Sequence, residues 1–351
     1  GISKEKLLRV LRDARSAPRK ATLVAAFVPT EVKVRLDEYN FPGFHSVYRT
    51  MRNYPRKIGG NLLGYLEEVN RNDIKEGEGE YKMGDYIGRA GVEAAYEKYL
   101  RGDDGVMILE KDAHGAIKGS YMDGLYDTLP VAGKRITCTI DARLQAFAEE
   151  LMEGKVGAVV AIEPQTGEIL VMASSPTFDP DELIGRERGN NYMRLLNEPR
   201  RPLFNRAVTS PQPPGSTFKI VTALEYIREN PDTYNKYSYV CNGRYKIGDD
   251  KIKCYHGSVH NRVTLLKSFA KSCNSSFANI GMKLDRTEFA ETLEDLLFNQ
   301  KLPWDFLYSQ SSTPVDADIT DSEMLQVSIG QGKVQITPLH LNMITAAIAN
   351  N

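Results

Sequence analysis

Apolar and polar positions alternate in short blocks along the first third of the chain. From Ser3 to Arg15, Leu7, Leu8 and Leu11 recur at helical spacing among Lys and Arg, which predicts a surface helix. Phe41-Pro42-Gly43-Phe44 predicts a turn, and His45 to Arg52 alternates as a strand does. Gly60 to Val69 reads as a helix with Leu62, Leu63 and Leu66 on its apolar face. Asp73 to Tyr81 reads as an acidic, Gly-containing loop, and Glu93 to Leu100 as a short helix closed by Arg101-Gly102.

The texture changes from Ile136. Asp141 can cap a helix over Ala142 to Met152, with Leu144, Phe147, Ala148 and Leu151 on one face. The apolar run 157–162, the turn Pro164-Gln165-Thr166-Gly167 and the run 168–173 predict a β-hairpin buried on both faces. A domain boundary near residue 135 follows, giving units 1–135 and 136–351 with no internal repeat.

Length and charge narrow the classes. A chain of 351 residues suits two domains. Lys+Arg 45 against Asp+Glu 46 leaves a net charge of -1, so no overall field favours nucleic acid or an anionic membrane. The longest apolar stretches, 156–162 and 344–349, fall far short of the roughly eighteen residues needed to span a bilayer. The chain opens at Gly1 and stops at Asn351, so it is read as a fragment whose anchor would lie elsewhere.

The most informative stretch is Pro213-Pro214-Gly215-Ser216-Thr217-Phe218-Lys219. Pro-Pro-Gly breaks the chain just before an apolar-periodic segment, which predicts a helix starting at Ser216. The serine hydroxyl then meets the positive end of the helix dipole, and Lys219 stands one turn on, on the same face. A buried lysine has a depressed pKa and can accept the serine proton. An N-cap serine followed by an exposed lysine is the plain alternative. Downstream, Ser272-Cys273-Asn274 adds a hydroxyl and an amide between two helical stretches, 265–271 and 277–284, in the order the serine/lysine acyl-transferases require.

On these residues the chain resembles the penicillin-binding protein family. Asn205-Arg206-Ala207, 161–167, Gly330-Gln331-Gly332 and Thr337-Pro338-Leu339 resemble its transpeptidase domain. Phe41 to Phe44, Arg49, Arg52-Asn53-Tyr54-Pro55, Gly64-Tyr65, Gly91-Val92-Glu93 and Leu100-Arg101-Gly102 resemble the pedestal of the monofunctional, elongation-type members. The resemblance implies an α+β pedestal for dimerisation or partner docking, then an antiparallel sheet flanked by helices. It implies a D,D-transpeptidase that cross-links peptidoglycan stem peptides, is acylated by β-lactams, and works with a membrane-embedded glycan polymerase in cell elongation. It places the catalytic part in the periplasm of a cell with an inner-membrane anchor. Ser216 is then the nucleophile, Lys219 its base, Ser272 and Asn274 proton-shuttling and peptide-binding groups, and Thr217 a further substrate contact. The family's third motif, Lys-Thr-Gly or a variant, does not follow Asn274, which implies an impaired fragment because part of the oxyanion hole would be missing.

Cys241, Cys254, His260 and Cys273 form a Cys₃His set, a complete tetrahedral complement for a structural zinc. The resemblance supports this, since some elongation-type relatives carry ligands at matching positions. His256 can replace His260, and a Cys241–Cys254 disulfide with a free Cys273 is the alternative. Cys138 is expected in a strand as a small core residue, and His45, His114 and His340 as ordinary residues. A serine β-lactamase and a β-lactam sensor or non-catalytic scaffold are the rival functions. The first lacks an identifiable deacylating glutamate loop here, and the second has no need of all four polar side chains.

Overall fold

The computed structural model describes residues 3–15, 22–39, 41–44, 46, 50–78, 80–113 and 117–350. It divides into two compact units: Gly1–Cys138 with Phe178–Arg201, and Thr139–Thr177 with Pro202–Asn351. The segment 178–201 thus leaves the second unit and folds with the first, where a single cut near 135 would not have put it.

In the first unit, Lys4–Ala14 is helical, with the Ser3 hydroxyl accepting from the Lys6 amide at its start. A second helix, Thr30–Tyr39, has no counterpart in the pattern reading. The expected helix 60–69 stops early: Gly60–Leu63 is one helical turn and Leu66–Glu68 is a strand paired antiparallel with Tyr86–Gly88. Gly64 makes the break. It sits at φ +82°, and a Cβ there would lie 1.8 Å from the Ala90 carbonyl oxygen, so only glycine allows the approach. The expected acidic loop 73–81 begins as a helix, Arg71–Glu76, held by a reciprocal Asn70/Asp73 capping box. Gly91–Ala95 and Glu97–Leu100 supply the short helices. Buried Glu93 accepts from the Tyr54 hydroxyl at 2.9 Å and pairs with Arg52 at 2.8 Å.

Of the strand expected over 45–52, Ser46, Thr50, Met51 and Arg52 are not in a strand. Its other residues, with Arg49, His45 and His114, lie outside the described residues. Cys138 is exposed and lies in no strand.

The second unit carries the predicted hairpin, Gly157–Ile162 against Ile169–Ser175. Helix Ala142–Leu151, capped by Asp141, packs on the Ile169–Ser175 strand, and Pro338–Asn350 packs on the other. Asn342 donates to the Val160 carbonyl at 2.8 Å, tying helix to strand. Of the two strands, Ile169–Ser175 is the buried one and Gly157–Ile162 is half-buried throughout. A larger core surrounds the helices Lys219–Glu229 and Asn274–Gly281, filled by Phe218, Phe277, Phe289, Leu293 and Phe298, each at most 1% exposed, with Ile252 of strand Asp250–Lys253 packed among them. Burying such side chains is the dominant stabilising effect, at about 1.5–3 kcal/mol each.

Candidate active site

The chain reaches Ser216 through a 3₁₀ turn, Gly215–Phe218, that runs straight into Lys219–Glu229. The helix proper therefore begins three residues after the expected start. Phe218 anchors the turn in the core, and the Gly215 amide donates to the Gly330 carbonyl at 2.7 Å. Gly330 is at φ +72°, and a Cβ there would lie 2.1 Å from the Gly215 carbonyl oxygen. Two bare backbones in contact thus set the turn that carries Ser216. On the other face, the Thr222 hydroxyl donates to the Ser328 carbonyl at 3.1 Å, which locks the helix to the same segment.

Ser216 is exposed, whereas Lys219 beneath it is 1% exposed. The Lys219 Nζ lies 3.1 Å from Ser216 Oγ, 2.9 Å from both Ser272 Oγ and the Ser272 carbonyl oxygen, and 2.6 Å from Asn274 Oδ1. Ser272 Oγ is in turn 3.0 Å from Ser216 Oγ. The four residues singled out in the sequence therefore meet in one hydrogen-bonded group. Ser272 adopts φ +48°, an uncommon conformation for serine, which turns the chain between Leu265–Ala270 and Asn274–Gly281 and brings its hydroxyl to Ser216.

Burial lowers the Lys219 pKa to about 8, against an opposing pull from the sulfurs of Cys273 and Cys254. The acceptor arrangement decides how its neutral amine points. The Ser272 carbonyl and Asn274 Oδ1 can only accept, so they take the two N–H groups of the amine. Its lone pair is left for a hydroxyl proton from Ser216. Asn274 also donates to the Lys253 carbonyl at 3.0 Å, so one of its two N–H groups remains for a ligand. Thr217 turns back on itself instead, its hydroxyl donating to the Pro214 carbonyl at 2.8 Å. It is not among the side chains lining the cleft, which are Ser216, Tyr255, Ser258, His260, Lys271, Ser272, Asn274, Ile329 and Gln331. Pattern reading did not single out Tyr255, Ser258 or Lys271, although Lys271 adjoins Ser272.

Behind the cleft, Cys241, Cys254, His260 and Cys273 bring one donor atom each within 4.8 Å of one another. All four stand at element ends: Cys241 closes Tyr239–Cys241, Cys254 follows Asp250–Lys253, His260 precedes Asn261–Val263, and Cys273 caps Asn274–Gly281. His256 is exposed and packs edge-on against Tyr255, whereas His260 is the imidazole that completes the group. The Sγ atoms of Cys241 and Cys254 are 3.7 Å apart and those of Cys254 and Cys273 are 3.8 Å apart, with His260 Nδ1 3.4 Å from Cys241. A disulfide would need about 2.05 Å, and all three thiols are free. Tetrahedral zinc at about 2.3 Å from sulfur and 2.0–2.1 Å from nitrogen sets edges of about 3.8 and 3.5 Å. The residues present fit that ion. Burial opposes ionisation of the Cys241 thiol, but N–H donors of Gly243 and His260 prevail and bring it to about 6, while burial pushes Cys273 up.

Two family models match the chain: the penicillin-binding protein transpeptidase domain over residues 157–351 and the penicillin-binding protein dimerisation domain over 2–138. The peptidoglycan D,D-transpeptidase MrdA of Acinetobacter baumannii is 29% identical across 97% of this chain and 52% of its own length. The chain thus spans about half the length of that relative. Among solved structures, a complex of penicillin-binding protein PBP2 with MreC from Helicobacter pylori has a TM-score of 0.81 at 22% identity, covering 97% of this chain and 69% of that one. A structure described as the coordination of polymerization and crosslinking by a peptidoglycan synthase complex has a TM-score of 0.74 at 28% identity, covering 99% and 65%. The order is therefore a dimerisation-type pedestal followed by a transpeptidase-type fold. Among the described residues no helix is long and apolar enough to cross a membrane.

Proposed function

The chain belongs to the penicillin-binding protein family, and on that footing we propose that it is the pedestal and transpeptidase part of a peptidoglycan D,D-transpeptidase. The observation that carries this reading is a buried amine, with a pKa of about 8, held 3.1 Å from an exposed serine hydroxyl.

In this reading Ser216 Oγ attacks the carbonyl of the penultimate D-Ala of a donor stem peptide, and its proton passes to Lys219 Nζ. The tetrahedral intermediate collapses as the peptide C–N bond breaks. Ser272, bridging Lys219 and Ser216, relays the proton to the departing D-Ala amine. The remaining N–H of Asn274 holds the donor's backbone. An amine of a second stem peptide then attacks the ester, loses its proton along the same path, and frees Ser216. A β-lactam carbonyl enters the first step but keeps its amine tethered, so the acyl-enzyme persists.

Persistence separates this reading from a hydrolase. Incubated with a fluorescent penicillin and followed by intact-mass spectrometry, the full chain is expected to hold one adduct for many minutes. Loss of the adduct within seconds would indicate a β-lactamase.

The Cys₃His group is proposed to hold a structural zinc, with no part in the chemical step. When bound, the ion supplies charge neutralisation for the thiolates and a fixed junction. Cys273 lies between Ser272 and Asn274, and Lys253, whose carbonyl holds Asn274, directly precedes Cys254. Two routes therefore join the group to the catalytic side chains. Elemental analysis is expected to find about one zinc per chain, and Cys241→Ala to lose it with a fall of several degrees in melting temperature. Metal-free protein with unchanged stability would rule the site out. Attachment to an inner membrane, exposure to the periplasm and pairing with a glycan polymerase in cell elongation are part of the same proposal, supported by the family membership.

A further inference from the structure

Alongside Ser216, Ser272 and Asn274, the cleft is walled by Tyr255, Lys271 and Gln331. No Asp or Glu lines it among the described residues, and Lys271 is its one permanently charged side chain. Other lysines reach acids, as Lys333 does Glu323 at 2.7 Å and Lys33 does Asp37 at 2.6 Å. Lys271 is exposed and forms no ion pair among the described residues.

Its place is set by the backbone. Lys271 closes helix Leu265–Ala270, its amide donating to the Lys267 carbonyl at 3.0 Å. Directly after it, the φ +48° turn at Ser272 swings the chain to the nucleophile. A cation at a helix C-terminus is favoured by the dipole wherever it points. That effect does not require the cleft wall. A cleft with a cation, three serine hydroxyls, a phenol, two amides and no carboxylate among the described residues is suited to an anionic ligand.

We propose that Lys271 is a specificity-determining residue whose ammonium pairs with a carboxylate on the donor peptide, upstream of the bond that is broken. The inference rests on the transpeptidase reading above. In that reading Asn274 faces the part of the donor that stays on the enzyme as the acyl group. Lys271, three residues before it on the same wall, reaches the same part. The favoured donors are then peptides with a free side-chain carboxylate ahead of the terminal D-Ala pair. Donors in which that group is an amide are the poor ones.

The test compares second-order acylation rates of the full chain by benzylpenicillin and its α-carboxy counterpart. Both carry the ring carboxylate, which cancels, and they differ only in the acyl-side anion. Lys271→Met is expected to slow the α-carboxy compound about fivefold, the upper range for an exposed ion pair, and benzylpenicillin less than about twofold. Lys271→Glu should slow the α-carboxy compound further, Lys271→Arg should restore it, and added salt should shrink the difference. Equal slowing of both penicillins, or of neither, would overturn the inference and leave Lys271 as a helix-terminus charge. Failure of the full-length protein to capture either compound would instead remove the transpeptidase reading.

Discussion

Ser216→Ala is expected to abolish covalent capture of penicillins and of D-Ala-D-Ala peptides alike. Removing the nucleophile of a serine acyl-transferase of this design should cost roughly 10⁶-fold in rate. The substitution isolates chemistry from folding. Ser216 is exposed, and among the described residues its hydroxyl meets Lys219 and Ser272, both of which keep other partners. The melting temperature should therefore move by no more than about 2 °C. Intact-mass spectrometry on the two proteins reads the outcome, and an adduct of normal yield on the alanine variant would place the nucleophile elsewhere.

Lys219→Ala should lower the acylation rate by about 10²–10⁴-fold, the span of a positioned general base. The pH dependence identifies the role. The acting form is the free amine, and burial brings the pKa down to about 8. As pH falls below that value the amine gains a proton, so the wild-type rate should fall about tenfold per unit. Above it the rate should level off. The alanine variant should show no such limb, although it leaves Asn274 Oδ1 and the Ser272 carbonyl without their donor and should lose about 1–3 kcal/mol of stability. Stopped-flow acylation across the pH range tests it. A rate limb at pH 8 that survives in the variant would assign the titration to another group.

Ser216 and Lys219 were legible as a candidate pair because their signal is local. Pro-Pro-Gly breaks the chain ahead of Ser216, and the three-residue step to Lys219 is one helical turn whatever the tertiary structure. That Ser272 and Asn274 would close on Lys219 depended on a left-handed turn at Ser272 that no propensity announces for serine. Tyr255 and Ser258 were not legible for a similar reason, since their loop is bent at His256 with φ +49° and at Gly257. Thr217 sat in the most conspicuous motif, yet its hydroxyl found a nearer acceptor in the Pro214 carbonyl.

In the first unit one misreading had its signal in the sequence and another did not. The Asn70/Asp73 pair is a helix-capping pattern that the acidic composition of 73–81 obscured. Gly64 splits the apparent helix at 60–69 because the Ala90 backbone lies against it, a contact across 26 residues that periodicity cannot register. The same contact explains why Gly64 and Gly91, noted as separate fragments, act together: a Cβ on Gly91 would lie 2.2 Å from the Leu62 carbonyl oxygen. Cys138, expected as a small core residue in a strand, is exposed and outside any strand.

The central claim is transfer of a peptide acyl group from Ser216 to an amine. The most direct measurement incubates the full-length protein with a D-Ala-D-Ala-terminated peptide and an amine-bearing acceptor peptide, and follows D-Ala release and peptide dimer by mass spectrometry. Equal amounts of D-Ala and dimer, both lost in Ser216→Ala, are predicted. A protein that captures penicillin stably but releases no D-Ala would contradict the account and indicate a β-lactam sensor in its place.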